Sequence, residues 1–193
     1  EFDVTRGTDA TYVGRDGLIK QMSDASPELI QNGDFSATGS ELVTNGDFVT
    51  DTDWTLGTGW SIGDGKAIST LQSGSQYLTQ SNLVESGKSY KVTFEVIDYT
   101  SGSVKATVSG AEGEVRTSIG TYTEYLTSTG TTFSIKNQSG AFIGSIDNVS
   151  VKELGADWTL GTGINLSDGL ANFTGSPNDF TAKNTPRSDG TES

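Results

Sequence analysis

Apolar residues along this chain recur at every second position. In "SYKVTFEVIDY", Tyr90, Val92, Phe94 and Val96 fall on one face and Lys91, Thr93 and Glu95 on the other, which is the signature of a half-buried strand. Further alternating runs fall at Val104, Ala106 and Val108, at Val115, Thr117 and Ile119, and at Phe133 and Ile135. Between them stand "GDGKA", "ESGKS", "TSGS", "STGT" and "QSGA", each able to supply the positive φ that tight hairpins demand. No segment has a helical period. Short strands at this spacing predict an all-β protein, an antiparallel β-sandwich or jelly roll of about eight strands.

Parity also predicts an irregularity. In "FIGSIDNVSVKEL", Val149 and Val151 share a face while Ile146 has the opposite parity. Burying all three requires a bulge at Asp147 and Asn148. At the other end, Thr11 to Val13 and Leu18 to Lys20 flank the turn Gly14-Arg15-Asp16-Gly17. That hairpin is marginal alone in water, so it is expected to dock on a neighbour or on another chain.

The chain repeats itself. "DWTLGTGW" at 53 returns as "DWTLGTGI" at 157, an offset of 157 − 53 = 104 residues, and "SIGDGKAISTLQSGS" is answered by "NLSDGLANFTGS". A smaller echo, "ELIQNGDFSATGS" at 28, precedes "ELVTNGDFVTDTD" at 41. The expected organisation is a hairpin or docking segment at 1–27, a vestigial repeat or linker at 28–40 and a sandwich at 41–154. A truncated second repeat at 155–175 and a polar, loosely ordered tail at 176–193 complete it.

Composition narrows the chemistry. The 193 residues suit one domain with extensions, and 25 glycines against 3 prolines fit short strands with glycine turns. A net charge of −13, with no cluster among 12 Lys and Arg, argues against nucleic acid and anionic membranes. No run of about 18 apolar residues would insert into a bilayer. The start "EFDVTRGTDA" lacks a signal-peptide pattern and a Met, so a soluble piece of a longer protein is expected. Cys and His are both absent, which removes disulfides, thiol nucleophiles, the usual general base at neutral pH and the commonest metal ligand.

Candidate chemistry follows from what remains. "GWSIG" at 59–63 fits a nucleophile-elbow pattern, but Ser61 has neither a histidine nor a following helix. Paired carboxylates, among Asp51, Asp53 and Asp64 or at Glu112 and Glu114, could run glycoside hydrolysis. They sit in turns, where carboxylates usually cap backbone, so no enzyme activity is expected. Calcium needs six to eight oxygens. Asn45 and Asp47 near the first strand, with Asp147 near the last, form either such a cage or plain hydrogen bonds to turn amides. A calcium-dependent shift in melting temperature separates the two. Sugars stack on aromatic faces. Trp60 and Tyr122 are expected in the core, which leaves Trp54 in a polar turn, Tyr99 at a hairpin tip and Tyr125 facing away from Tyr122 as glycan contacts. The sequons at Asn137, Asn148, Asn165 and Asn172 read as a by-product of composition.

The ordered motifs "ELVTNGDFVTDTDWTLGTGWSIGDGKA", "SYKVTFEVIDYTSGSVKATVSG" and "GTYTEYLTSTGTTFSIKNQSGAFIGSIDNVSVKEL" resemble the carbohydrate-binding-module-like β-sandwich of tailed-phage virion proteins, over about residues 41 to 154. "ATYVGRDGLIK" with "NTPR" at 184–187 is similar to a segment of phage tail and fibre proteins, here interrupted by the sandwich. The resemblance implies a galactose-binding-like jelly roll that binds glycans, often with a structural calcium, which by position falls on Asn45, Asp47 and Asp147. No family aromatic is carried over. The expected function is a non-enzymatic tail-fibre or capsid-decorating part on the virion exterior, assembled in the host cytoplasm. Its expected partners are other virion proteins, host surface polysaccharide and further copies of itself, a trimer included. The alternatives are a structural spacer without glycan binding and the accessory module of a secreted bacterial enzyme.

Overall fold

The computed structural model describes residues 11–13, 19–21, 38–71, 74–156, 158–159, 164–167, 170–173 and 183–184. These contain strands and turns and no helix. β1 (Thr11–Val13) and β2 (Ile19–Gln21) form a hairpin in one unit. Val13 pairs with Ile19 and Thr11 with Gln21, so the second strand lies one residue later than its apolar run implies.

Every other strand belongs to a second unit, Asn32–Thr185. It opens with β3 (Thr38–Glu41), β4 (Thr55–Leu56), β5 (Trp60–Gly63), β6 (Lys66–Leu71) and β7 (Tyr77–Gln80). Two long strands follow, β8 (Ser89–Val108) and, after β9 (Ala111–Glu112) and β10 (Gly120–Thr127), β11 (Phe133–Leu154). β12 (Trp158–Thr159), β13 (Ile164–Ser167), β14 (Leu170–Phe173) and β15 (Lys183–Asn184) come last. β3 begins inside the stretch expected to be linker, and β15 inside the expected loose tail.

β8 and β11 are the spine of the sandwich. They pair antiparallel from Phe133↔Val108 to Glu153↔Tyr90. β7, β6 and β3 line up along the free edge of β11, while β9 and β10 take that of β8. The inward alternation predicts this arrangement. Tyr90, Val92, Phe94 and Val96 from one half of β8 and Val104, Ala106 and Val108 from the other are all buried in one core with Phe133, Ile135, Phe142 and Ile146. Each buried valine, isoleucine or phenylalanine among them contributes about 1.5–3 kcal/mol relative to exposure.

Two local signals hold and one fails. Asp64 and Gly65, at φ 54° and 67°, make a two-residue turn between Gly63 and Lys66, the geometry that Asp-Gly prefers. The pairing of β11 slips by one residue between Asp147↔Glu95 and Ser150↔Thr93, with Asn148 at φ 51°, which is the bulge that parity requires. The Val115, Thr117 and Ile119 run, however, is not a strand. Arg116 alone bridges to Val104, and Val115 and Ile119 are exposed at 48% and 63%. The Arg116 guanidinium sits 4.7 Å above the Tyr122 ring and donates to the buried Glu124. That ion pair directs the segment, and the valine and isoleucine face outward.

Candidate ligand-binding groove

Around Asn45 the chain folds into a small closed loop. The Asn45 amide donates to Thr50 O at 2.8 Å and Thr52 O at 2.9 Å, and its Oδ1 accepts from Thr50 N at 3.2 Å. Its backbone carbonyl accepts from Phe48 N and from the Trp54 indole at 2.9 Å. Asn45, Phe48 and Asp53 all have positive φ, a strain of about 1–3 kcal/mol for a non-glycine residue. Burial of Phe48 and Trp54, whose rings lie 5.3 Å apart, offsets it. Trp54 is therefore not an exposed platform. It is 7% exposed and packs edge-on against Phe133, because Asp53 at φ 70° turns the next side chain inward.

The loop also meets the bulge. Val149 N donates to Gly46 O at 2.9 Å, and a Cβ at Gly46 would lie 2.1 Å from Val149 O, so only glycine allows the approach. The Gly46–Val149 contact thus brings the loop that carries Asn45 and Asp47 against the strand that carries Asp147. Asn45 Oδ1 and both carbonyls already accept N–H groups, and Asp147 Oδ1 accepts from Asn148 N at 2.7 Å. No cluster of three or more acidic side chains suited to a metal occurs among the described residues.

The remaining predicted aromatics are dispersed. Tyr99 is half-buried against the core and its hydroxyl donates to Gly102 O at 3.0 Å, so it closes the bend in β8. Tyr125 is half-buried and stands opposite Lys91 on the face away from Leu126. Neither lines either of the two hollows found among the described residues. The ring that does is Tyr77, which the sequence reading passed over although "QYLTQ" carries its signal: Leu78 and Gln80 are buried, so Tyr77 and Thr79 face out.

Tyr77, 44% exposed, borders a groove of about 360 Å³ with Thr107, Ser109, Glu112, Thr132 and Ser134. Register explains the cluster. Tyr77 pairs with Lys136, Lys136 with Lys105, and Thr107 beside it with Glu112. Two lysines directly across a ladder repel. Glu112 answers both, taking the Lys105 ammonium on one oxygen and Lys136 at 3.2 Å on the other. The Lys105 and then the Lys136 hydrogen bond hold the Glu112 carboxyl below its ordinary value, and Glu112 in turn raises Lys136. The Lys136 ammonium lies 5.4 Å from the Tyr77 ring centroid, within reach of a cation–π contact. Two of the lining hydroxyls are themselves bonded: Ser134 with Thr79 at 2.9 Å, while Thr107 donates to Ser134 O.

A smaller hollow of about 200 Å³ lies by Lys66, Asp98 and Ser145. Asp98 accepts from Ser145 at 2.6 Å and Lys66 at 2.9 Å, and these bonds, Ser145 first, lower its carboxyl. Two further acids singled out in the sequence have partners. Glu114 meets Arg116 at 3.1 Å and Asp53 accepts from Thr52 at 2.8 Å. Ser61 is exposed on β5, a hairpin strand.

No family model matches the chain, and no curated protein matches it. Among solved structures it is similar to CBM35 from Paenibacillus barcinonensis, at 16% identity and a TM-score of 0.40, covering 60% of this chain and 97% of that one. It is similar also to BiXyn10A CBM1 in its apo form, at 19% identity and a TM-score of 0.35, covering 62% and 92%. A third, described as "CBM4 structure and function", has 16% identity and a TM-score of 0.36, covering 64% and 99%.

Proposed function

We propose that the chain is a non-catalytic glycan-binding module whose site is the Tyr77 groove. The observation that carries this reading is the exposed Tyr77 ring beside a charged pair and a hydroxyl-lined floor. A sugar presents a C–H face and a rim of hydroxyls, and that arrangement meets both. Glu112, ionised between two lysines, accepts from ligand hydroxyls and is not an acid catalyst, which needs a raised pKa.

The setting we infer is a displayed part of a phage particle, and it rests on the sequence resemblance of residues 41–154 and of "ATYVGRDGLIK". Host surface polysaccharide is then the ligand, and other virion proteins are the neighbours. A spacer role would leave the groove without sugar.

A glycan array followed by calorimetric titration tests the reading, with calcium and with EDTA. Tyr77→Ala is expected to weaken binding about tenfold, the worth of one stacked ring, and calcium to change nothing. Trp54→Ala is unsuited to this test, because it opens the core. No glycan bound at millimolar concentration, or full affinity in Tyr77→Ala, would sink the proposal.

A further inference from the structure

Inward alternation in β8 is broken and then restored. Tyr90, Val92, Phe94 and Val96 are buried, and so are Val104, Ala106 and Val108; strict parity would carry Asp98 into the core between them. It does not. The ladder with β11 steps from Ile146↔Val96 to Ser145↔Asp98, which gives β8 one extra residue at Ile97, and from Gly144↔Tyr99 to Ile143↔Ser101, which gives it another at Thr100. Each extra residue turns the strand over once, and the two cancel. Between them Asp98 goes to the surface and Tyr99 packs against the core. A strand that only had to close the core would carry an apolar residue at 98 and need neither bulge. β11 is fitted to the displaced backbone, since a Cβ at Gly144 would lie 2.2 Å from Asp98 O.

The displaced carboxylate lines the hollow of about 200 Å³. Both of its hydrogen bonds fall on one oxygen. Oδ2 accepts from Ser145 Oγ at 2.6 Å and from Lys66 Nζ at 2.9 Å, and Oδ1 accepts none among the described residues. Ser145 is 1% exposed, so the carboxylate is held from within the protein and keeps its other oxygen outward. The Lys66 ammonium donates to no other group among the described residues, and an ammonium carries three N–H groups. An open acceptor and an open donor therefore stand side by side. Half-buried Ile68 and Ile143 and exposed Thr70 and Thr100 complete the lining.

We infer that this hollow is a second saccharide site, which takes one neutral sugar residue through two adjacent hydroxyls. One hydroxyl donates to Asp98 Oδ1, its neighbour accepts from Lys66, and a C–H face of the ring meets Ile68 and Ile143. The pair sets the class of ligand. An anionic group meets the open carboxylate oxygen and a cationic one meets the ammonium, so both are selected against; adjacent hydroxyls, each donor and acceptor, match the two together. The size suits a single residue, being below the roughly 300–1,000 Å³ of pockets for larger ligands. No residue lines both hollows, so the site stands apart from the Tyr77 groove and does not rest on that reading.

Amide NMR on the full chain tests this, with methyl glycosides of glucose, galactose and mannose as probes at up to about 50 mM. At least one should shift the amides of Ile68, Thr100 and Gly144 along a saturable curve, and Tyr77→Ala should leave that curve unchanged. Asp98→Asn keeps the shape and loses the charge, and should weaken binding here about tenfold. Thr100→Arg, at an exposed position on the hollow, leaves Asp98, Lys66 and Ser145 in place and should abolish it by filling the space. A spectrum unchanged elsewhere shows that each variant is folded. The inference is overturned by no saturable shift at these amides, by shifts confined to Thr107, Ser109 and Thr132, by full affinity in either hollow variant, or by loss of the shifts in Tyr77→Ala.

Discussion

Trp54 and Trp60 stand six positions apart, both buried, and differ in the fate of one hydrogen. The Trp54 indole N–H donates to Asn45 O, whereas the buried Trp60 N–H has no partner. Replacing either by Phe removes similar volume, but only Trp54→Phe also loses a hydrogen bond, leaving Asn45 O with Phe48 N alone. Urea denaturation should show Trp54→Phe costing about 1 kcal/mol more than Trp60→Phe; equal costs would refute the assignment. The same pair marks what the sequence makes legible. Period-2 alternation locates Trp60 in the core and would have placed Tyr77 outside it. No periodicity reaches Trp54, because the left-handed Asp53 before it decides where its ring goes.

Among elements, the bulge in β11 has the largest leverage. The extra residue at Asp147–Asn148 returns Val149 and Val151, 4% and 0% exposed, to the core side. A one-residue slip inverts every side chain beyond it. Deletion of Asn148 should therefore expose both valines and pull Val149 N from Gly46 O. The expected result is loss of the cooperative thermal transition, while Asn148→Gly, which suits φ 51°, keeps it. A cooperative deletion variant of near-native melting temperature would show that the bulge is incidental. Parity exposed this bulge in advance, because a regular strand cannot bury Ile146 and Val151 together. The Val115–Ile119 run misled for the converse reason: alternation over five residues is weaker than one half-buried Arg116–Glu124 pair.

For the whole molecule, charge decides behaviour with pH. No histidine titrates, and the net charge is −13. Glu112 has a lowered pKa in the folded state, so its contribution to stability is complete above the ordinary carboxylate value and disappears as pH falls through the lowered one. Below that point Lys105 and Lys136 face each other without an anion between them. Wild type should therefore exceed Glu112→Gln in melting temperature near pH 7, and the gap should close as pH falls from the ordinary carboxylate range through the lowered value. A gap constant over that range would contradict the role given to Glu112. The all-β class and the antiparallel plan were legible from alternation, because one buried face suffices to write them. The groove was not, because it depends on which residues β7, β8 and β11 bring side by side.

β12–β15 share the register of β4–β7 at a shift of 104 residues, Thr159↔Lys183 answering Thr55↔Thr79 and Ser167↔Leu170 answering Gly63↔Lys66, and this has a consequence in time. A ribosome releases β11 before β12 exists, so during synthesis β11 meets the edge of β6 and β7 without a competing copy and the first sandwich closes unopposed. A chain diluted from denaturant has no such order. There β11 meets two edges of equal register at once, and every molecule that chooses the later one must release it before reaching the native pairing. Direction of synthesis thus supplies information that the shared register of the two repeats lacks.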